Sequence, residues 1–168
     1  MENVYILAVL NMDACDRLPP MYSVVLGLHS WIRWAALALG IATTIAAIVD
    51  RSGRGSSRLG LFFMMTLDVQ MLIGLLLYLA LSPFTRTALD DFGAAMRNPS
   101  LRYWAVEHAA TMMLAVVLAH VGRVLARTAR TPDARRTREI VCVGLSTVLM
   151  VVATPWPGMA NGRPLFRV

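Results

Sequence analysis

The sequence contains no lysine, so all 16 of its basic residues are arginine. That bias reads as genome composition and points to no function. Cysteine is nearly as scarce. The two copies, Cys15 and Cys142, lie far apart with no metal-ligand spacing, which argues against a disulfide framework or a thiolate metal centre. Charged residues make up only 15% of the chain and are missing from long stretches of it. A soluble core would need polar faces within those stretches, and they are largely absent. Also missing are a nucleophile constellation, a soluble substrate domain, an internal repeat and a low-complexity segment, so an enzyme is disfavoured.

The chain is 57% hydrophobic, and the apolar residues are gathered into blocks. Blocks of this length suit a lipid solvent. The net charge of +6 could suggest nucleic acid. The arginines cluster in loops beside the apolar blocks instead, which is a topology signal and not a nucleic-acid one. The expected partners are therefore membrane lipids and other subunits of a membrane complex.

Residues 1–20 read as an extramembrane N-terminal arm ending at Pro19–Pro20, with a partner subunit as its expected holder. Val4–Leu10 is an apolar run at the lower limit for a signal peptide. It has no basic residue before it and no small-residue cleavage pattern after it. The sequence ending at Cys15 is a poor lipoprotein box.

Residues 21–154 read as an all-α integral membrane four-helix bundle, and residues 155–168 as an extramembrane tail. Span one covers Met21–Val49 and span two Leu59–Leu81, stopped by Ser82–Pro83. Span three covers Leu101–Ala126. Span four covers Ile140–Thr154, stopped by Pro155, its helix beginning near Asp133 so that Arg135, Arg136 and Arg138 snorkel to the headgroups. Arg51, Arg54 and Arg58 sit between spans one and two. Arg127, Arg130, Arg135, Arg136 and Arg138 follow span three. The positive-inside rule then places these loops in the cytoplasm and both termini in the periplasm of a bacterial inner membrane. Between spans two and three, Leu89, Phe92 and Met96 recur at helical spacing, and Thr87 with Asp90 resembles a capping box. A short interfacial helix is expected there.

Ionisable groups at membrane depth are costly and normally face the bundle interior with a partner. His29 lies eight residues past Met21 and His108 seven past Leu101, which puts both about 10–12 Å below their helix starts. Two histidines at matched depth on parallel helices could ligate one b-type haem near the outer face. Arg33, one turn below His29, and Arg102, at the outer end of span three, are placed to meet propionates. Glu107 is a candidate orienting partner for a histidine or for Arg102. The same groups, His29, Glu107 and His108, would also serve a quinone, and both histidines could simply hydrogen-bond neighbouring helices. His120 reads as structural, and Arg33 with Asp68 reads as a buried ion pair fixing helix register.

The stretch from Met21, MYSVVLGLHSWIRW, resembles the opening of small four-helix bacterial membrane proteins sometimes labelled cytochrome b-like. Glu107–His108, Pro155-Trp156-Pro157 and the tail Arg163-Pro164-Leu165-Phe166-Arg167 are similar too. The resemblance covers Met21 to the C-terminus, with residues 1–20 as an extension beyond it. It implies a redox role. The combined expectation is a non-catalytic subunit of a respiratory or photosynthetic electron-transport complex. The alternatives are a cofactor-free scaffold or a quinone-binding protein.

Overall fold

The computed structural model describes residues 20–49 and 54–165. The expected N-terminal arm with Cys15, the loop arginine Arg51, and Phe166 and Arg167 of the tail lie outside them. The described residues form helices joined by turns and short irregular segments, with no strand among them. In chain order the helices are α1 (Pro20–Val49), α2 (Arg54–Leu76), α3 (Pro83–Asp90), α4 (Phe92–Arg97), α5 (Pro99–Arg102), α6 (His108–Arg127) and α7 (Pro132–Val152). A π-helical turn, Leu77–Leu81, extends α2, and another, Tyr103–Glu107, joins α5 to α6 without a break.

Three of these helical stretches are long and apolar enough to cross a membrane: Pro20–Val49, Arg58–Leu81 and Pro99–Arg127. They coincide with expected spans one to three. The fourth, α7, begins as expected at Pro132, with Thr131 as its N-cap accepting from the Ala134 amide at 3.2 Å. Its first half carries Asp133, Arg135, Arg136, Arg138 and Glu139, and α7 is not among the membrane-capable helices.

α1 packs against α2 and α7, and α6 packs against the same two helices, so α1 and α6 face each other across a diagonal. The core at their centre is built from Ala36 and Leu37 (α1), Phe63 and Leu67 (α2), Ala115 and Ala119 (α6), and Val143 and Met150 (α7). Small residues set the spacing. A Cβ on Gly40 would collide with Thr147 and Phe63, and one on Gly122 with Cys142. Close backbone approach of this kind replaces the hydrophobic driving force that lipid removes. The outer faces carry Val24, Ile41, Ile45, Leu72, Leu79, Val124 and Val148, all exposed, as a lipid-facing surface requires.

The segment between the second and third long helices differs from its expected form. It is two short helices, broken at Asp91, whose backbone leaves the helical region at φ −140°, ψ 84°. Ser82 caps α3, with Pro83 at its first position. Asp91 caps α4, accepting from the Ala94 amide at 2.9 Å. Thr87, expected to cap, lies inside α3 because Ser82–Pro83 starts the helix earlier. Leu89 and Phe92 are exposed, while Ala88 and Ala95 pack on Ala105.

Candidate functional site

His29 and His108 each lie nine residues past the proline that opens their helical stretch, Pro20 and Pro99. They are on the diagonal pair of helices, close enough for each other's charge to act on His29. Arg33 acts on both rings.

The two imidazoles are held differently. His108 Nδ1 faces the Ala153 carbonyl at the end of α7 at 2.9 Å. A carbonyl only accepts, so Nδ1 carries the proton and Nε2 is left with its lone pair. Trp104 and Tyr103 pack beside this ring, with centroids 5.6 Å and 5.9 Å away. Tyr103 donates its hydroxyl to the same Ala153 oxygen at 2.8 Å. His29 has less support. Its Nδ1 is buried with no hydrogen-bond partner among the described residues. Its ring lies against α2 at Gly74, where an added Cβ would come within 3.3 Å of Cε1. The His29 carbonyl accepts from Gln70 Nε2 at 3.0 Å, while Gln70 Oε1 is itself buried with no partner among the described residues. A buried polar atom without a partner costs about 1–3 kcal/mol.

Both π-helical turns flank this layer, and Tyr78 in the first donates to the Ala105 carbonyl in the second at 2.8 Å. A π turn shifts the helical phase of all that follows and recurs at functional sites. Here it precedes His108 directly. The C-terminal tail folds over the same end. Leu165 O accepts from Arg33 Nη2 and from Trp34 Nε1, both at 3.1 Å. Trp156 meets Trp34 edge-on at 6.0 Å. The Arg163 guanidinium stacks over Phe84 at 5.0 Å and Trp104 at 5.3 Å.

Two expectations need correction. Arg33 and Asp68 are not brought together as a pair. Arg33 reaches the tail at Leu165, and Asp68 Oδ1 meets His120 Nε2 at 3.2 Å. The two residues sit on adjacent helices, but Asp68 is on the side of α2 turned to α6, away from α1. Arg102 does not converge on the histidines either. Its Nε donates to Glu107 Oε1 at 2.6 Å and its Nη1 to Met96 O at 3.3 Å, at a half-exposed end. Glu107 is thereby the partner of Arg102 and not of an imidazole.

Sequence reasoning singled out Gln70 as a polar residue within span two and noted the tail, but missed Gly74, Tyr103, the Ala153 carbonyl and the tail's contact with Arg33 and Trp34. Backbone acceptors carry no side-chain signal. The Trp-Pro-Gly turn before Arg163 was legible only as a helix stop. No group of three or more metal-ligating side chains occurs among the described residues, so a metal here would enter as a two-imidazole complex. No family model, curated protein or solved structure matches this chain.

Proposed function

We propose that the chain is a non-catalytic integral membrane subunit of an electron-transport assembly, with its cofactor site between His29 and His108. The observation that carries this reading is the asymmetric histidine pair. One ring is oriented by a carbonyl, with Nε2 left available. The other is buried, and its own Nδ1 has no partner among the described residues. Such a pair lacks what a ligand would supply. The residues fit a b-type haem: His29 and His108 would hold the iron, and Arg33, one turn below His29, and Arg163, stacked on Trp104, are the nearby cations for its acid groups. A haem so ligated supplies one-electron transfer. Gly74, Ala36 and Ala105 keep the surroundings small. A quinone is the second reading, favoured by the unpartnered His29 Nδ1, which could donate to a carbonyl. It no longer draws on Glu107, which is engaged by Arg102. The reduced-minus-oxidised spectrum of the purified protein tests the proposal. A b-type band lost in His29→Ala and in His108→Ala, and kept in His120→Ala, supports haem. A colourless, folded protein that co-extracts quinone favours the second reading, and one that extracts neither leaves a scaffold.

The topology belongs to the same proposal. α7 serves as the fourth span, its arginines at the headgroups, with both termini periplasmic in a bacterial inner membrane. The exposed Leu89 and Phe92 of α3 and α4 suit an interfacial position. Labelling of cysteines introduced at Ser56 and Thr131 should occur only from the cytoplasmic side. Labelling from the periplasm would reverse the orientation.

A further inference from the structure

Near the middle of the Arg58–Leu81 stretch, well below the histidine pair just described, Asp68 and His120 meet across the seam between α2 and α6. Both ring nitrogens of His120 face oxygen: Nε2 faces Asp68 Oδ1 at 3.2 Å, and Nδ1 faces the Val116 carbonyl at 3.0 Å. The carbonyl can only accept, so Nδ1 carries a proton. The contact between Nε2 and Oδ1 then needs a second proton, held by either the imidazole or the carboxyl group. With two protons the pair is neutral overall wherever the second one sits. Neutrality is what a membrane interior demands.

The pair is not sealed. The side chains of His120 and Asp68 remain 43% and 46% exposed, and α2 and α6 are the loosest of the four neighbouring pairings. A purely structural pair would be better covered, because half-exposed polar groups facing hydrocarbon give up stability. The charged groups nearby are unevenly arranged. On α6, Arg123 lies one turn from His120 towards the arginine-rich end. Arg127, and Arg135 and Glu139 of α7, lie within its electrostatic reach. On α2 the other charged group with a described side chain is Arg58, about 15 Å away along the helix. α1 offers no charged side chain to this half, its ionisable groups being Tyr22, His29 and Arg33. Arginine therefore dominates on one side, and that offsets the negative charge left when the pair gives up a proton.

We propose that Asp68 and His120 form an intramembrane proton-binding site that exchanges with the arginine-rich end, where Arg123 lies one turn from His120. The site cycles between two states. In one, two protons are held and the pair is neutral. In the other, the proton between Nε2 and Oδ1 has left, and a carboxylate remains beside a neutral imidazole. The released proton leaves towards the arginine-rich end, and no other bond changes. This inference does not rest on the cofactor reading.

The test is an infrared titration of the full chain in lipid nanodiscs with ring-labelled histidine, the His120 bands being assigned by their loss in His120→Gln. The expected result is that the Asp68 carboxyl bands and the His120 ring bands change together at one shared midpoint, as coupled sites do. In Asp68→Asn the His120 midpoint should depart from the shared one, through loss of the neighbouring carboxylate. Loss of the Asp68 titration in His120→Gln would serve equally if Asp68→Asn fails to fold. An unshifted His120 midpoint in Asp68→Asn would overturn the proposal. Separate midpoints in the wild type, or no titration at any pH at which the protein stays folded, would do the same.

Discussion

The two ends of the helix assembly are held together by opposite means. At the arginine-rich end, long cationic side chains reach across to helix termini. Arg136 donates from Nε to Ala47 O at 2.8 Å and from Nη2 to Ile48 O at 2.5 Å, at the C-terminal end of α1. Arg138 Nη1 donates to Leu125 O, near the end of α6, at 2.7 Å. Each of these carbonyls belongs to the last turn, where no intrahelical amide remains to satisfy it and the helix dipole favours a cation. At the histidine end, aromatic rings and a returning tail do the same work. There the donors are Arg33 and Trp34 and the acceptor is a backbone carbonyl of the tail. The first end is tied by its own side chains to the carbonyls of helix ends. The second leaves a buried nitrogen on His29 without a partner among the described residues.

Glycines give the strongest way to break that contrast, because each end has one at a close approach. Gly122 lies at the arginine-rich end, where an added Cβ would collide with Cys142 Cβ, an atom fixed directly to the α7 backbone. Backbone that close cannot move aside without separating α6 from α7. Gly122→Leu should therefore destabilise by about 3 kcal/mol, the upper end for overpacking. Thermal or denaturant unfolding in detergent measures it. A loss below about 1 kcal/mol would mean the two helices are free to slide.

Arg136→Ala should be next in size. It removes two charge-assisted hydrogen bonds to the end of α1, each of a kind that contributes about 1.5–3 kcal/mol. Arg136 is only partly buried, so the expected loss for the pair of bonds is about 2 kcal/mol, again by unfolding. Arg136→Lys should recover less than half of it, because an ammonium lacks the fork that spans two successive carbonyls. Full recovery by lysine would reduce the interaction to charge alone.

The boundaries of α1, α7 and the continuous stretch from α5 to α6 were legible because Pro20, Pro132 and Pro99 open them and apolar runs fill them. The mid-membrane pairing was not legible. Depth can be counted along a helix, but face cannot be when a π turn resets the phase. The turn at Tyr103–Glu107 does so immediately before His108. Asp68 and Arg33 share a level and differ in face, so counting paired them while the structure sends them to α6 and to the tail. His29 and His108 could be matched by counting alone. The hydrogen bond that distinguishes them could not, since its acceptor is the backbone of Ala153. The outer segment was misread for a local reason: Asp91 caps a new helix where apolar spacing alone continued the old one.

At the histidine end, the tail should prove the weaker closure. Trp34→Phe keeps most of the aromatic contact with Trp156 and removes only the Nε1 bond to Leu165 O. The expected cost is about 1 kcal/mol, typical of a neutral hydrogen bond. The tail should exchange its amide hydrogens faster while α1 and α7 do not. Equal exchange in the variant and the wild type would show that Arg33 alone holds Leu165.

Gly74→Ala should have the smallest effect on stability and the sharpest meaning. Replacing a mid-helix glycine by alanine favours the helix by about 0.5–1 kcal/mol. The new methyl would stand 3.3 Å from His29 Cε1, closer than ordinary contact by a few tenths of an ångström. The His29 side chain is free to give, because its Nδ1 has no hydrogen bond among the described residues to hold it in place. The two effects nearly cancel, so unfolding should change by less than about 0.5 kcal/mol. Ligand binding should not be so forgiving, since a displaced imidazole no longer faces its partner across the diagonal. If the chain carries a b-type haem, its absorption should weaken or its midpoint potential shift in Gly74→Ala while Gly27→Ala, at a glycine with open space around it, leaves both unchanged. An unaltered spectrum and potential in Gly74→Ala would mean that His29 does not hold the ligand from this rotamer, and that the outer end owes its open nitrogen to packing alone.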